Sequence, residues 1–285
     1  MRIYHFVCCG IIFCLFLTSC TKDMSHETFR EVFPTDQDCS ITKVTPCDSI
    51  SGKGYGSFQI STTANHLSAS TMWYDSTTAS VNYQATFSYQ KDTMRVSPDI
   101  YFLLDDSGRI RALHTLENPL DTGSDRHIFT YIYNAGGQLI NKTWLHSTIN
   151  ADIPLFSYQY AWQNGNLISV EVREAEGNKR RVMYAELHYD LSKTVHDFLY
   201  FFPDAHELAP YIFSVNVGKK SNNLLEKIVL RLFDDNGSEL QSYVTVYKRY
   251  EFTANGNVSA VFASGDALDG LPLVNGLTRF EYDCK

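Results

Sequence analysis

The chain has 285 residues, 44% of them apolar and 20% charged, which is enough for a packed core in one large domain or two small ones and too apolar for a disordered chain. Its formal net charge is −8, which excludes the basic face that a nucleic-acid partner needs. Tyrosine and phenylalanine number 18 each; both suit pleated, half-buried surfaces, so the composition leans toward strands.

At the N-terminus, Arg2 precedes a mostly apolar run from Ile3 to Leu17. The run is short for a bilayer span, which takes about 20 apolar residues, and has the length of a secretory h-region. It ends in Leu17-Thr18-Ser19-Cys20, which resembles the lipobox of bacterial lipoproteins. The resemblance implies that residues 1–19 are a signal peptide and that Cys20 is acylated. Thr21 in place of Asp at the next position implies delivery to the outer membrane, on either its periplasmic or its surface side. Residues 20–52, rich in Ser, Thr and Asp, read as a lipid-anchored tether, and residues 53–285 as the folded domain.

Three cysteines remain beyond the anchor: Cys39, Cys47 and Cys284. An oxidising compartment allows one disulfide among them, and spacing does not choose the pair. No histidine stands at ligand spacing from them, so no zinc site is expected. The loop Gly52-Lys53-Gly54-Tyr55-Gly56 lacks the helix and the Lys-Ser/Thr of a phosphate cradle and reads as an entry turn.

From there period-two alternation dominates. Tyr83, Ala85, Phe87 and Tyr89 share one face, with Gln84, Thr86, Ser88 and Gln90 opposite. Phe156, Tyr158, Tyr160 and Trp162 share another, against Ser157, Gln159 and Ala161. Such alternation of aromatic and polar residues marks half-buried strands. Turn signals separate the runs, at Asp106-Ser107-Gly108, Ala135-Gly136-Gly137, Asn164-Gly165, Asn236-Gly237 and Asn255-Gly256. Ile110, Leu139, Leu167, Val195 and Leu224 recur at spacings of 29, 28, 28 and 29 residues. One such period holds two strands and two short turns, so each repeat reads as one hairpin. The Val195 copy is the weakest, because it lacks a glycine. The expected fold is all-β: an antiparallel up-and-down meander of about 14 strands, forming a barrel or a strongly curved sheet with uniformly short turns.

The units Phe129-Thr-Tyr-Ile-Tyr-Asn-Ala-Gly-Gly-Gln-Leu139, Val217-Gly-Lys-Lys-Ser-Asn-Asn-Leu-Leu-Glu-Lys-Ile228 and Tyr250-Glu-Phe-Thr-Ala-Asn-Gly-Asn-Val258 resemble repeats in a family of Bacteroides-group lipoproteins described as having a porin-like fold. The resemblance runs over roughly residues 100–285. It implies a fold and carries no catalytic residue or cofactor, since the family has no assigned activity. Aromatics run the full length of the strands here, whereas a lipid-facing strand carries aliphatics midway and aromatics at its ends. The aromatic face is therefore expected inside.

Catalytic motifs are sparse. Ser40-Ile-Thr-Lys43 matches an acylation motif but lies in the tether without its partner motifs. His188-x-Asp190 and His196-Asp197 each lack a third partner, and Asp105-Asp106 and Asp234-Asp235 sit at glycine turns, where turn chemistry suffices. Trp144 reads as sharing a strand face with Lys142 and His146, away from the aromatic set. An outward tryptophan beside polar side chains can stack on a sugar, so Trp144 and His146 are the candidate ligand residues, although Trp144 could equally cap a barrel end. The expected function is a monomeric, non-enzymatic binding or interaction module of the envelope, attached to the membrane through its acyl anchor, without cofactor or metal, and with a glycan or protein partner. The alternatives are a structural or assembly protein of the outer membrane, and an enzyme of unrecognised type.

Overall fold

The structure, a computed structural model, describes residues 39–47, 51, 53–54, 56–62, 68–75, 80–116, 125–148, 150–195, 198–204, 206–208, 211–212, 214–266 and 276–284. The signal segment, Cys20 and the first part of the tether lie outside the described residues.

Among the described residues, sixteen strands form one antiparallel sheet. They are β1 (Cys39–Cys47), β2 (Gly56–Thr62), β3 (Ser68–Asp75), β4 (Ser80–Gln90), β5 (Thr93–Arg95), β6 (Tyr101–Leu104), β7 (Ile110–Leu116), β8 (Arg126–Tyr133), β9 (Leu139–Ser147), β10 (Asp152–Gln163), β11 (Asn166–Glu174), β12 (Arg181–Thr194), β13 (Asn223–Phe233), β14 (Glu239–Phe252), β15 (Val258–Gly265) and β16 (Gly276–Cys284). Each pairs with its neighbours in chain order. The ring closes through β1, which pairs with β16 over eight residue pairs and with β2 over two.

This corrects the reading of residues 20–52 as tether throughout, because Cys39–Cys47 is a wall strand. Its Val44 and Cys47 are buried, and a closed ring needs a strand to satisfy the free edge of β16. Among the three cysteines the disulfide is Cys39–Cys284, a directly opposed pair on β1 and β16. Cys47 is a buried free thiol, and burial raises its pKa.

The aromatic faces point inward, as expected. Phe87, Phe102, Phe129, Tyr131, Tyr158, Tyr160, Tyr247 and Phe280 belong to one buried cluster. The outward face of β11 to β13 carries charge: Glu186 within β12 meets Arg231 of β13 at 3.1 Å, and Glu171 within β11 meets Arg181, the first residue of β12, at 2.7 Å.

The hairpin ends share one construction. In the turns from Asp105, Asn134, Asp234 and Thr253, the fourth residue is a glycine with φ between +72° and +82°. Its N–H donates to the first residue's carbonyl. The first residue's side chain accepts the fifth residue's N–H in each: Asp105 from Arg109, Asn134 from Gln138, Asp234 from Ser238 and Thr253 from Asn257. This is an Asx- or Thr-closed turn, and only glycine takes that backbone cheaply.

The repeat has a physical meaning that spacing alone did not disclose. Tyr133 Oη donates to the Ile110 carbonyl at 2.8 Å, Trp162 Nε1 to Leu139 at 2.7 Å and Tyr189 Oη to Leu167 at 2.9 Å. Tyr250 does the same to Leu225 at 2.6 Å and Tyr282 to Val258 at 2.7 Å. On β8, β10, β12, β14 and β16, an aromatic donor in the second half of the strand thus staples one of the first carbonyls of the odd strand before it.

One interval breaks the meander. Val195 does not open a hairpin: of the 28 residues between Thr194 and Asn223, none of the described ones is in a strand. Phe198, Leu199, Tyr200, Phe201 and Phe202 are all buried there, with Leu208, Ile212, Val215 and Val217. This segment enters the lumen as a plug. Phe198 packs on Phe280, Phe201 on Tyr247, Phe202 on Tyr160, and Tyr211 on both Phe87 and Phe102. Its return leg straps the barrel end: Asn216 O accepts Ile110 N–H, Lys219 N–H donates to Gly137 O, and Asn222 N–H to Gly165 O. The expectation of uniformly short turns fails here, because a lumen of this width left unfilled would strand its aromatic lining against water.

Candidate functional site: a buried ion cluster and the cavity beside it

Each half of the site comes from a different element. β9 offers Lys142 and β10 offers Tyr158 and Tyr160, all pointing inward. The plug offers Asp204 and Glu207, the latter in the short 3-10 turn His206–Leu208. Lys142 is 1% exposed. Its Nζ reaches Asp204 Oδ2 at 2.6 Å and Glu207 Oε1 at 3.0 Å, and donates to the Asp204 carbonyl at 3.2 Å. It also stands 3.9 Å from the centre of the Tyr158 ring, a cation–π geometry. Tyr160 Oη donates to Asp204 Oδ2 at 2.7 Å and Tyr131 Oη to Glu207 Oε1 at 3.0 Å.

Burial works against the Lys142 charge, but the two carboxylates outweigh it and hold the ammonium above the ordinary lysine range. Burial, reinforced by the same carboxylates, pushes the Tyr131 and Tyr160 phenols well up, so both stay neutral donors. Among the described residues, Asp204 Oδ1 is buried with no hydrogen-bond donor.

Beside this cluster lies a cavity of about 520 Å³, within the size range of small-molecule sites. Its walls come from β9 to β14 and are mainly apolar: Trp144, Phe156, Tyr158, Val172, Val182, Met183, Leu230, Leu232 and Tyr243. Pro203 and Asp204 of the plug also line it. Glu174 and Arg180, at the β11–β12 turn, form a partly exposed rim and pair at 2.5 Å; Arg180 also pairs with Asp235.

Trp144 therefore does not stand on an outward polar face. It pairs in register with Phe129 and Phe156, and Lys142 pairs with Tyr131 and Tyr158. Cross-strand partners share a face, so the Lys142, Trp144 and His146 row points inward. The polar neighbours misled because Lys142 is buried through its ion pairs, not through solvent. Trp144 Nε1 donates to His127 Nδ1 at 3.0 Å, and its ring packs on Phe129 and Phe156. His146 lies 3.2 Å from Asp125 and beside the His127 ring, and is not among the cavity-lining residues. Of the two candidates, then, Trp144 reaches the cavity.

His188 is exposed on the outer wall, and His196-Asp197 lies outside the described residues. Asp204 and Glu207 escaped sequence reasoning because no motif marks them. The unbroken run Phe198–Phe202 was the available signal: five apolar residues in a row bury both faces, which a half-buried strand cannot do.

No protein-family model matches the chain, and no curated protein matches it. Solved structures do. A porin-like protein from Bacteroides uniformis superposes with a TM-score of 0.54 at 12% identity, over 85% of this chain and 98% of its own. A porin-like protein from Bacteroides vulgatus gives 0.53 at 12% identity, over 86% and 99%. The chain has the fold of porin-like Bacteroides proteins. At that identity the likeness is one of architecture, and the site must be argued from this chain's own residues.

Proposed function

We propose that this protein is an outer-membrane lipoprotein of the bacterial envelope whose barrel is a non-enzymatic binding module, held at the membrane by Cys20 and facing water. The observation that carries the reading is the filled lumen. A channel needs a continuous path, whereas here the described residues between Thr194 and Asn223 plug the interior and strap one end, leaving a cavity beside the plug. The outer wall supports the water-facing half of the reading. Glu186 and Glu171 stand within their strands on that wall, paired with Arg231 and Arg181, and charge at such depth is costly against hydrocarbon. Exposed Ile132, Ile140, Ile153, Leu191, Leu240 and Val244 lie on five strands, with charged residues on the intervening ones.

Two measurements test it. Residues 21–285 should be monomeric and strand-rich in circular dichroism without detergent; aggregation reversed by detergent would mean that the outer wall faces lipid. The Cys20→Ala full chain should take up no fatty-acid analogue in metabolic labelling, and undiminished label would remove the anchor from the reading.

A further inference from the structure

We infer that the cavity takes a small organic cation: an ammonium group carried on an apolar or aromatic body. The inference rests on the reading of the protein as a binding module and names the chemistry of its ligand.

Three observations lead there. The first is the balance of charge. The ionisable groups in and around the cavity are four carboxylates, Glu174, Asp204, Glu207 and Asp235, against two cations, Lys142 and Arg180. Both cations are already engaged, Lys142 by Asp204 and Glu207, and Arg180 by Glu174 and Asp235. The buried part of this set, Asp204 and Glu207 against Lys142, carries one excess negative charge among apolar walls and favours a positive guest, whereas Asp235 at the rim is 95% exposed and screened by water.

The second is the free lone pairs of Asp204. Its Oδ2 serves both Lys142 and Tyr160. Its Oδ1 is buried with no donor among the described residues, on a residue that lines the cavity. A buried carboxylate oxygen without a donor leaves the Asp204 carboxylate under-satisfied, and an N⁺–H brought against the Asp204 wall is the strongest donor that can complete it.

The third is the wall. Trp144, Phe156, Tyr158 and Tyr243 contribute four aromatic rings, whose faces attract a desolvated cation. The Tyr158 ring already receives the Lys142 ammonium at 3.9 Å, which shows that this interior stabilises such contacts. An anion would meet surplus carboxylates and no unengaged cation. A sugar would need several polar partners along the wall, and the wall residues between Asp204 and the rim are apolar or aromatic.

Titration calorimetry on the purified full chain with four probes tests this: 3-phenylpropylamine, the near-isosteric 3-phenylpropan-1-ol, 3-phenylpropionate and glucose. The amine should bind at least tenfold more tightly than the alcohol, with the carboxylate and glucose weaker still. Leu230→Trp, which fills the cavity with another apolar side chain, should abolish amine binding, and Asp204→Asn should erase the preference for amine over alcohol. Should Asp204→Asn fail to fold, Tyr243→Ala serves instead: it removes one ring from a partly exposed wall and should weaken the amine at least threefold more than the alcohol. Alcohol, carboxylate or glucose binding as tightly as the amine, and lost in Leu230→Trp, would overturn the cation while leaving the binding module standing. Binding of none of the four would overturn the cation and remove the support for a binding module as well.

Discussion

Tyr133, half-buried against the core, and Tyr247, buried in it, are tyrosines with opposite energetics. The Tyr133 hydroxyl staples the Ile110 carbonyl, and a buried carbonyl that loses its donor pays a desolvation cost. Tyr133→Phe should therefore lower stability by about 1 kcal/mol in urea melts. The Tyr247 hydroxyl is buried with no partner among the described residues, so Tyr247→Phe should be neutral or stabilising by up to about 1 kcal/mol. Equal losses in the two variants would mean that the staples contribute nothing specific. The same residues set the alkaline limit. Burial raises the phenols of Tyr131, Tyr160, Tyr189 and Tyr250 above their ordinary range, and Lys142 is raised by its carboxylates. In the unfolded chain these groups lose protons near pH 10, where the folded state still holds them. Their contribution is complete below about pH 10 and declines as pH rises from there. Tyrosinate absorbance and loss of strand circular dichroism should rise together above about pH 10; a large tyrosinate signal from a still-folded barrel would contradict the burial.

The plug and its strap are the element on which the site depends, because Asp204 and Glu207 reach Lys142 only from there. Gly218 marks how tightly the strap lies. Its φ is +87°, and a Cβ on it would sit 2.5 Å from the Gly137 carbonyl and 2.7 Å from the Tyr133 ring. Gly237 has a similar φ, +79°, with nothing within 4 Å. Gly237→Ala should thus cost about 1–2 kcal/mol, the left-handed backbone penalty alone. Gly218→Ala should cost that plus about 1–3 kcal/mol of overpacking. It should also speed hydrogen exchange within residues 195–222, and equal costs at the two glycines would show that the strap yields freely. The hairpin period and the plug also explain the misreading of Val195. The insertion is 28 residues long, the same as the spacing of the repeat. Leu224 therefore falls back into phase after a segment whose described residues contain no strand.

For the molecule as a whole, closure is the decisive feature. β1 and β16 bring the two ends of the described chain together, and Cys39–Cys284 crosslinks them across 245 residues. A loop of that length gives a stabilisation of up to about 5 kcal/mol on the chain-entropy model. Cys39→Ser with Cys284→Ser should lower the urea midpoint accordingly, with little change in the strand signal before the transition. If the doubly substituted protein melts like the wild type, the β1–β16 pairing alone holds the seam.

What the sequence by itself determined is local. Period-two alternation gathered Phe87, Tyr131 and Tyr160 into aromatic rows, the run of aromatics along the full length of the strands put those rows inward, and the Asx-Gly turns placed the hairpin ends. The rows and the turns follow from the pleat and from positive φ, which neighbouring residues dictate. The up-and-down meander followed from stringing such hairpins together, while the porin-like fold was what the resemblance of the repeats implied. Three things waited for the tertiary structure, and each depends on residues far apart in the chain. The pairing of Cys39 with Cys284 depended on ring closure, which spacing does not encode. The direction of Trp144 depended on its register with Phe129 and Phe156, because a buried Lys142 looks like surface until Asp204 and Glu207 are placed beside it. The plug depended on the lumen: residues 198–202 could be read as core only once a barrel wide enough to hold them existed.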